Sequence, residues 1–179
     1  FNKKSPNPVY SWGYDFNHLS PATEAFVDRV LEYWLREFHV DGFRLDFTKG
    51  FTNTPGDGSG YDPARIRILK RIADKIWSVD SSAYVILEHF ASNQEEKELA
   101  DYGMMLWGNC NYNYNEATMG YHDQNKSDFS WIAHKTRGWS KPHVVGYMES
   151  HDEERLMYKN LQYGNNQGDY RITDLNTAL

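Results

Sequence analysis

Apolar residues recur along this chain in a helical spacing of three and four positions, interrupted by short apolar runs. The first helical segment follows Ser20 and Pro21, residue types favoured at a helix cap and at the first helical position. A second helix is predicted to begin at Asp62-Pro63. A short polar helix is predicted over 93–101 and a further helix over 127–137. One apolar face of the first helix is predicted to comprise Phe26, Val27, Val30, Leu31, Trp34, Leu35 and Phe38.

Four short apolar runs, at 40–47, 84–87, 104–107 and 143–148, predict β-strands between these helices. The run at 84–87 is almost continuously apolar, which is typical of a strand buried on both faces. The connections are too long for hairpins, so the alternation predicts an α/β fold built from βα units with a parallel sheet. Residues 1–19, 48–60 and much of 108–126 are predicted to be irregular.

Composition removes several classes of protein. The chain has 179 residues, a formal net charge of −6 and one cysteine, Cys110. A single cysteine excludes an internal disulfide and the multi-cysteine zinc frameworks, so Cys110 is predicted to be a reduced thiol. The acidic balance argues against a nucleic-acid partner, and no run of 18 apolar residues predicts a membrane span.

Aromatic residues make up 16% of the chain, including six Trp and 13 Tyr. Such side chains combine an apolar ring with a polar tip and suit half-exposed binding surfaces, including surfaces for sugar rings. Trp107, at the end of the third apolar run, is a candidate platform for stacking with a sugar, together with Tyr112 and Tyr114. Ordinary packing explains these residues equally well.

Carboxylates follow three of the four predicted strands. Asp46 ends the first run, Glu88 follows the second, and Asp152 comes shortly after the fourth. In parallel α/β folds the carboxyl ends of the strands carry the chemistry. A single acid at a strand end is usually a helix cap or an ion-pair partner. Three acids in one cleft repel and raise each other's pKa, a cost that proteins tolerate mostly where a reaction needs those acids.

Paired carboxylates suit glycoside hydrolysis, in which one attacks the anomeric carbon and another protonates the leaving oxygen. Arg44 lies two residues before Asp46 and therefore on the same face of the strand, where it could hold that carboxylate ionised. An ordinary ion pair would give the same pattern. A carboxylate metal site is the less favoured chemistry, because the acids are dispersed and not densely clustered.

At these residues the sequence resembles the α-amylase family of retaining glycoside hydrolases, family 13. Asp41-Gly42-Phe43-Arg44-Leu45-Asp46 is similar to the family's fourth-strand motif, and Ser150-His151-Asp152 to its seventh-strand motif. The resemblance implies that Asp46 is the nucleophile, that Glu88 is the general acid/base and that Asp152 stabilises the transition state. It implies substrate contacts for Arg44, Lys49 and His151.

The spacing of the motifs suits this placement, since 42 residues separate Asp46 from Glu88 and 64 separate Glu88 from Asp152. His89, beside Glu88, is a further candidate substrate contact, although a lone histidine is more often structural. The charged run Glu95-Glu96-Lys97-Glu98 is predicted to be a solvated helix face.

The resemblance implies that residues 1–179 form one domain, a partial (β/α)8 TIM barrel with roughly strands 4 to 7 and their helices. The earlier strands, the eighth strand and any C-terminal β-sandwich are expected to lie outside this segment. No cofactor is expected, and no metal ligand is assigned. Calcium binding in the full-length parent has no support here, because Gly50 stands where many calcium-dependent relatives have His.

The implied activity is that of a retaining α-glucan hydrolase or transglycosylase acting on α-1,4 or α-1,6 bonds through a covalent glycosyl-enzyme. The expected partner is an α-glucan oligosaccharide or polysaccharide, with no nucleic acid and no membrane. The alternative is an inactive barrel fragment that only binds glucan, or that self-associates through exposed barrel edges. The sequence does not indicate a compartment.

Overall fold

The computed structural model describes residues 1–165 apart from Lys3 and Trp12, and this part of the chain has an α/β fold. These residues contain four strands and five α-helices, of which the apolar pattern predicts the four strands and the first three helices. In chain order they are α1 (Pro21–Phe38), β1 (Gly42–Leu45), α2 (Pro63–Val79), β2 (Tyr84–Leu87), α3 (Asn93–Tyr102), β3 (Met105–Asn109), α4 (Asn111–Thr118), β4 (Val144–Tyr147) and α5 (Leu156–Tyr163).

The strands form one parallel sheet in the order β1-β2-β3-β4. Strand β1 pairs with β2 from Gly42 opposite Tyr84 to Leu45 opposite Leu87. Gly42 permits this pairing, because a Cβ atom there would lie 2.3 Å from the backbone oxygen of Tyr84. Strand β1 is shorter at both ends than the predicted strand over 40–47, and Asp46 lies just beyond its carboxyl end.

The described residues divide into two compact units, one within 1–107 together with 139–143 and the other within 108–138 together with 144–165. In the first unit, α2 packs between α1 and α3. Its apolar face is buried as predicted, with Ile66, Leu69, Ile72, Ala73 and Ile76 all nearly inaccessible to solvent. Asp62 caps this helix by accepting hydrogen bonds from the backbone N–H groups of Ala64 and Arg65.

Helix α1 begins and ends close to the prediction but buries less than predicted. Leu31 and Leu35 are buried, whereas Phe26, Trp34 and Phe38 are about half exposed. The seven apolar residues therefore do not form one buried face. Ser20 makes no side-chain capping bond, and its carbonyl accepts the first helical hydrogen bond from Glu24.

The prediction of a solvated charged face on α3 is wrong for half of that run. Glu95 and Glu96 are only 0% and 2% exposed. Glu95 forms a buried ion pair with Arg65, and Glu96 accepts a hydrogen bond from the backbone of Ala91. Lys97 and Glu98 do lie near the surface, in ion pairs with Asp101 and Lys70.

In the second unit, α4 packs against α5. The segment 127–137, predicted to be helical, contains only a short 3-10 turn at Ser130–Ile132. Asp128 accepts hydrogen bonds from the backbone and the hydroxyl of Ser130, and such local bonds compete with a helix. Cys110 is a free, buried thiol, and burial raises its pKa. Among the described residues, no helix has the length and apolar character needed to span a bilayer.

Candidate active site

Asp46 and Glu88 lie side by side where the neighbouring strands β1 and β2 end. The register of the two strands continues past Leu45, whose carbonyl oxygen accepts a hydrogen bond from the backbone N–H of Glu88 at 3.0 Å. One carboxylate oxygen of Asp46 and one of Glu88 lie within 4.8 Å of each other. Parallel pairing alone therefore brings together two acids that are 42 residues apart in sequence.

Arg44 joins the two acids. Its Nη1 donates a hydrogen bond to Asp46 Oδ1, and its Nη2 lies 3.0 Å from Glu88 Oε2. The guanidinium carbon lies 3.9 Å from the centre of the Trp107 ring, which supports the cation from one face. The arginine thus hydrogen-bonds Asp46, forms an ion pair with Glu88 and offsets part of the repulsion between the two carboxylates.

The two carboxylates have different surroundings. The side chain of Asp46 is 64% exposed and that of Glu88 only 8%. Burial raises the pKa of Glu88, and the neighbouring negative charge of Asp46 raises it further. A hydrogen bond from the Phe47 backbone and the Arg44 charge only partly oppose this. Two nearby acids in unequal environments are the usual arrangement for a nucleophile and a proton donor.

The backbone between β1 and the following 3-10 turn (Thr48–Gly50) supports Glu88 directly. Phe47 has a φ of 47°, in the left-handed region that costs a side-chain-bearing residue roughly 1–2 kcal/mol. In this conformation its backbone N–H donates a hydrogen bond of 2.8 Å to Glu88 Oε2. Sequence reasoning missed this contact, because no residue type marks a backbone donor.

A cavity of about 220 Å³ opens beside Asp46. Its wall comes largely from residues 5–18, which the sequence indicated only as irregular. Lys49, predicted to contact substrate, places its Nζ 4.6 Å from the centre of the Tyr10 ring in this wall. The aromatic lining residues are Tyr10, Tyr14, Phe16, Phe47 and Phe51, accompanied by His18. Rings beside a carboxylate suit a sugar, whose CH faces pack on rings while its hydroxyls bond to polar groups.

His89 does not agree with its predicted role as a substrate contact. Its side chain is completely buried, and both ring nitrogens have partners, at 2.9 Å from Thr48 Oγ1 and 2.9 Å from Glu95 Oε1. Burial leaves neither nitrogen accessible to a ligand. Trp107, a candidate platform for stacking with a sugar, has one ring face covered by Arg44.

His151 and Asp152 belong to the second unit, in the loop after β4. Both side chains are more than half exposed, and His151 Nε2 lies 3.7 Å from Asp152 Oδ1. Glu153 anchors this loop, since it accepts hydrogen bonds from Asn109 at 2.8 Å, from the Tyr147 hydroxyl at 3.2 Å and from Ser150. No sequence motif marks Glu153, because its bond to Asn109 spans 44 residues.

In the first unit, Asp46 and Glu88 are the acids that could contribute to a cation site. Calcium takes six to eight oxygen ligands, so these two carboxylates alone fall short of a site. Arg44 already supplies positive charge to both of them. The chemistry that the pair supports directly is nucleophilic and acid–base.

Comparison with curated proteins gives two partial similarities. The chain is 27% identical over 81 residues to a 1,4-alpha-glucan branching enzyme of Bacillus caldolyticus, a match that covers 44% of this chain and 12% of that enzyme. It is 34% identical over 83 residues to a malto-oligosyltrehalose trehalohydrolase of Saccharolobus solfataricus, covering 45% of this chain and 13% of that protein.

No family model matches the chain. Both relatives are members of glycoside hydrolase family 13, and the chain spans about an eighth of their length. Part of the chain is therefore similar to enzymes of that family.

Proposed function

We propose that this chain is part of the catalytic (β/α)8 barrel of a retaining glycoside hydrolase or transglycosylase that acts on α-glucans. The observation that carries the proposal is the pair Asp46 and Glu88, whose carboxylate oxygens lie within 4.8 Å of each other. Retaining glycosidases need carboxyl groups about 5–5.5 Å apart, whereas inverting enzymes need about 6.5–9.5 Å to admit a water molecule. This proximity supports the retaining arrangement.

Asp46 is the nucleophile in this proposal, because its side chain is exposed and is oriented by Arg44. One carboxylate oxygen attacks the anomeric carbon of an α-glucoside as the bond to the leaving oxygen breaks. A β-glycosyl ester on Asp46 results. The Arg44 guanidinium holds the attacking carboxylate in place through its hydrogen bond to Asp46 Oδ1.

Glu88 is the general acid/base. Burial and the negative charge of Asp46 raise its pKa, which favours the protonated form that an acid needs. It gives its proton to the leaving oxygen in the first step. Once Asp46 is esterified, Glu88 takes a proton from water, or from an acceptor sugar in transglycosylation. The oxygen of that molecule attacks the anomeric carbon, and the bond from this carbon to Asp46 breaks to release the carboxylate.

The remaining assignments rest on the motifs. Asp152 and His151 would stabilise the oxocarbenium-like transition state and bind ring hydroxyls, and Lys49 would bind substrate. The names of the two relatives, a glucan-branching enzyme and a trehalose-releasing hydrolase, support an α-glucan as substrate. The choice between α-1,4 and α-1,6 bonds, and between water and sugar as acceptor, stays open within this class.

The direct test is release of reducing sugar from soluble starch by the chain and by two isosteric variants. Asp46→Asn removes the nucleophile and is expected to lower kcat by at least about 10³-fold. Glu88→Gln removes the proton donor and is expected to cost about 10²–10⁴-fold. Glu98→Gln changes an ion-paired glutamate outside this site and serves as a matched control with unchanged activity. Activity that survives Asp46→Asn would remove Asp46 from the nucleophile role.

A second candidate function is favoured by the exposed rings of α1. Phe26, Trp34 and Phe38 leave an apolar surface on this helix, which suits self-association by a catalytically silent chain. A chain with no starch-hydrolysing activity and a concentration-dependent dimer in sedimentation would support that function. A monomeric, active chain would exclude it.

A further inference from the structure

A buried polar network lies behind Glu88 and takes no part in the proposed chemistry. It consists of Thr48, His89, Glu95 and Arg65, each of which is 0% exposed. These residues come from four different segments: the turn after β1, the end of β2, the start of α3 and the first turn of α2. Burial of so many polar groups is costly unless each is satisfied, so the network has a defined geometry.

Arg65 and Glu95 form the fixed end of the network. Arg65 Nε lies 2.7 Å from Glu95 Oε1, and Arg65 Nη2 lies 2.8 Å from Glu95 Oε2, a bidentate pair. Arg65 also donates to the carbonyl oxygens of Lys49 and Gly60 at 2.7 and 2.9 Å. The guanidinium thereby holds α3 and the loop after β1 together.

His89 connects the Arg65–Glu95 pair to Thr48, which lies beside Glu88. Burial alone would raise the pKa of Glu95, but hydrogen bonds from His89 and Arg65 outweigh it and hold this pKa below its usual value. Glu95 is therefore an ionised acceptor, and His89 Nε2 must carry the proton of their 2.9 Å hydrogen bond. The ring orientation is then fixed, with Nδ1 2.9 Å from Thr48 Oγ1.

Thr48 makes the final contacts, and they are with Glu88. Its backbone N–H donates to the Glu88 carbonyl oxygen at 2.8 Å, and its hydroxyl oxygen lies 3.0 Å from that carbonyl oxygen and 2.9 Å from His89 Nδ1. The preceding peptide N–H, that of Phe47, donates to Glu88 Oε2. A shift of Thr48 would thus move the groups that hold both the backbone and the carboxylate of Glu88.

We propose that Thr48 and His89 are positioning residues for Glu88, held in place by the Glu95–Arg65 pair. The network sets the position of the carboxylate relative to Asp46 without touching the substrate. This inference rests on the proposed role of Glu88 as general acid/base. A network that served only stability would leave the chemical step and the ionisation of Glu88 unchanged.

The kinetic test uses Thr48→Val, which keeps the shape of the side chain but removes the hydroxyl. Small displacements of a catalytic group can cost up to about 10²-fold in rate, so we expect kcat on starch to fall by about 10- to 100-fold with KM little changed. Thr48→Ser restores the hydroxyl and should restore kcat to within about threefold of the unaltered chain. If the Thr48→Val chain does not fold, Thr48→Ala replaces it, with the same expected fall in kcat. Glu98→Gln on α3 is the control with unaltered kinetics.

A second measurement does not depend on activity. The ionisation of Glu88 is followed by carbon NMR of a glutamate-labelled chain, with the signal assigned by its loss in Glu88→Gln. Because Thr48→Val weakens the hold of Phe47 N–H on the charged carboxylate, the Glu88 titration midpoint should rise by about half a unit or more. Thr48→Ser should retain the original midpoint.

The two measurements separate failure of this inference from failure of the proposed function. Lack of glucan hydrolysis by the unaltered chain would count against the proposed function, and the NMR titration would then decide the positioning role alone. A folded Thr48→Val chain with the original Glu88 midpoint would overturn the inference. So would an active Thr48→Val chain with unchanged kcat, or a Thr48→Ser chain as impaired as Thr48→Val.

Discussion

At the scale of single residues, the site depends on an asymmetry between two acids of similar chemistry. Asp46 is largely exposed and Glu88 is buried, although each directly follows a strand of the same sheet. Phe47 and Arg44 contact Glu88 from the neighbouring strand end, whereas Asp46 faces an open cavity. The two acids therefore have the unequal environments that the proposed nucleophile and acid require.

The raised pKa of Glu88 predicts a pH-dependent cost in stability. A group with a higher pKa in the folded state stabilises the fold fully below its unfolded pKa of about 4.3, and this contribution is lost as pH rises through the folded value. Glu88→Gln is always neutral, so its Tm should exceed that of the unaltered chain at pH 7. The two should converge near pH 4. Thermal unfolding from pH 4 to pH 7 measures the difference in Tm between Glu88→Gln and the unaltered chain. A Glu88→Gln chain whose Tm at pH 7 is below that of the unaltered chain would contradict the account.

The same residues show what could be predicted from sequence and what could not. The order of strands and carboxylates predicts the placement of Asp46, Glu88 and Arg44, because parallel pairing brings strand ends together regardless of detail. The burial of His89 could not be predicted, since its partners Thr48 and Glu95 are identified only by the three-dimensional arrangement. A histidine beside a site glutamate looks the same in sequence whether it faces the cleft or the interior.

At the scale of elements, the charged start of α3 acts as a structural connection to α2. Glu95 accepts hydrogen bonds from Arg65 and from the backbone N–H of Asp62, the residue that caps α2. One buried carboxylate therefore ties the N-terminal ends of two helices together. The sequence pattern suggested solvent exposure because the compensating arginine lies 30 residues earlier.

This connection predicts a large and pH-dependent loss of stability in Glu95→Gln. Removing one partner of a buried ion pair leaves the other charge uncompensated and typically costs about 3–5 kcal/mol. The lowered pKa of Glu95 means that its contribution is present above the unfolded pKa and is lost as pH falls through the folded value. Urea unfolding measures the free energy of unfolding of Glu95→Gln and of the unaltered chain. The difference between them should be large at pH 7 and smaller in acid.

The matched control is Glu98→Gln, one turn further along α3. Glu98 pairs with Lys70 near the surface, and exposed pairs contribute about 0–1 kcal/mol. Equal destabilisation by the two substitutions would show that Glu95 has no special structural role.

Other elements show where local patterns suffice and where they do not. Strand β2 has the predicted bounds, but the expected burial of both faces is wrong, because Val85 and Leu87 are buried whereas Tyr84 is 55% exposed. The stretch 111–118, rich in Asn and Tyr, was predicted only as partly irregular, yet it forms α4. Asn115, which is 2% exposed, bonds to Asn111 one turn earlier. Tertiary burial there outweighs the low helix propensity of asparagine.

At the scale of the whole molecule, the α/β class and the parallel sheet agree with the prediction from alternating helices and apolar runs. The chain divides into two compact units, with Asp46 and Glu88 in the first and Asp152 in the second. The similarity to family 13 enzymes covers less than half of the chain. In the proposed mechanism, Asp46 forms a covalent bond to sugar while Glu88 supplies the proton.

The most direct test of that claim is to trap the covalent intermediate with a fluorinated α-glucosyl fluoride, which forms the glycosyl ester readily but releases it slowly. Mass spectrometry of the digested chain should then find one added sugar mass on the peptide that contains Asp46. The adduct should be absent from Asp46→Asn and present in Glu98→Gln. A sugar on another carboxylate, or turnover of the α-fluoride to a β-anomeric product without any adduct, would contradict the account.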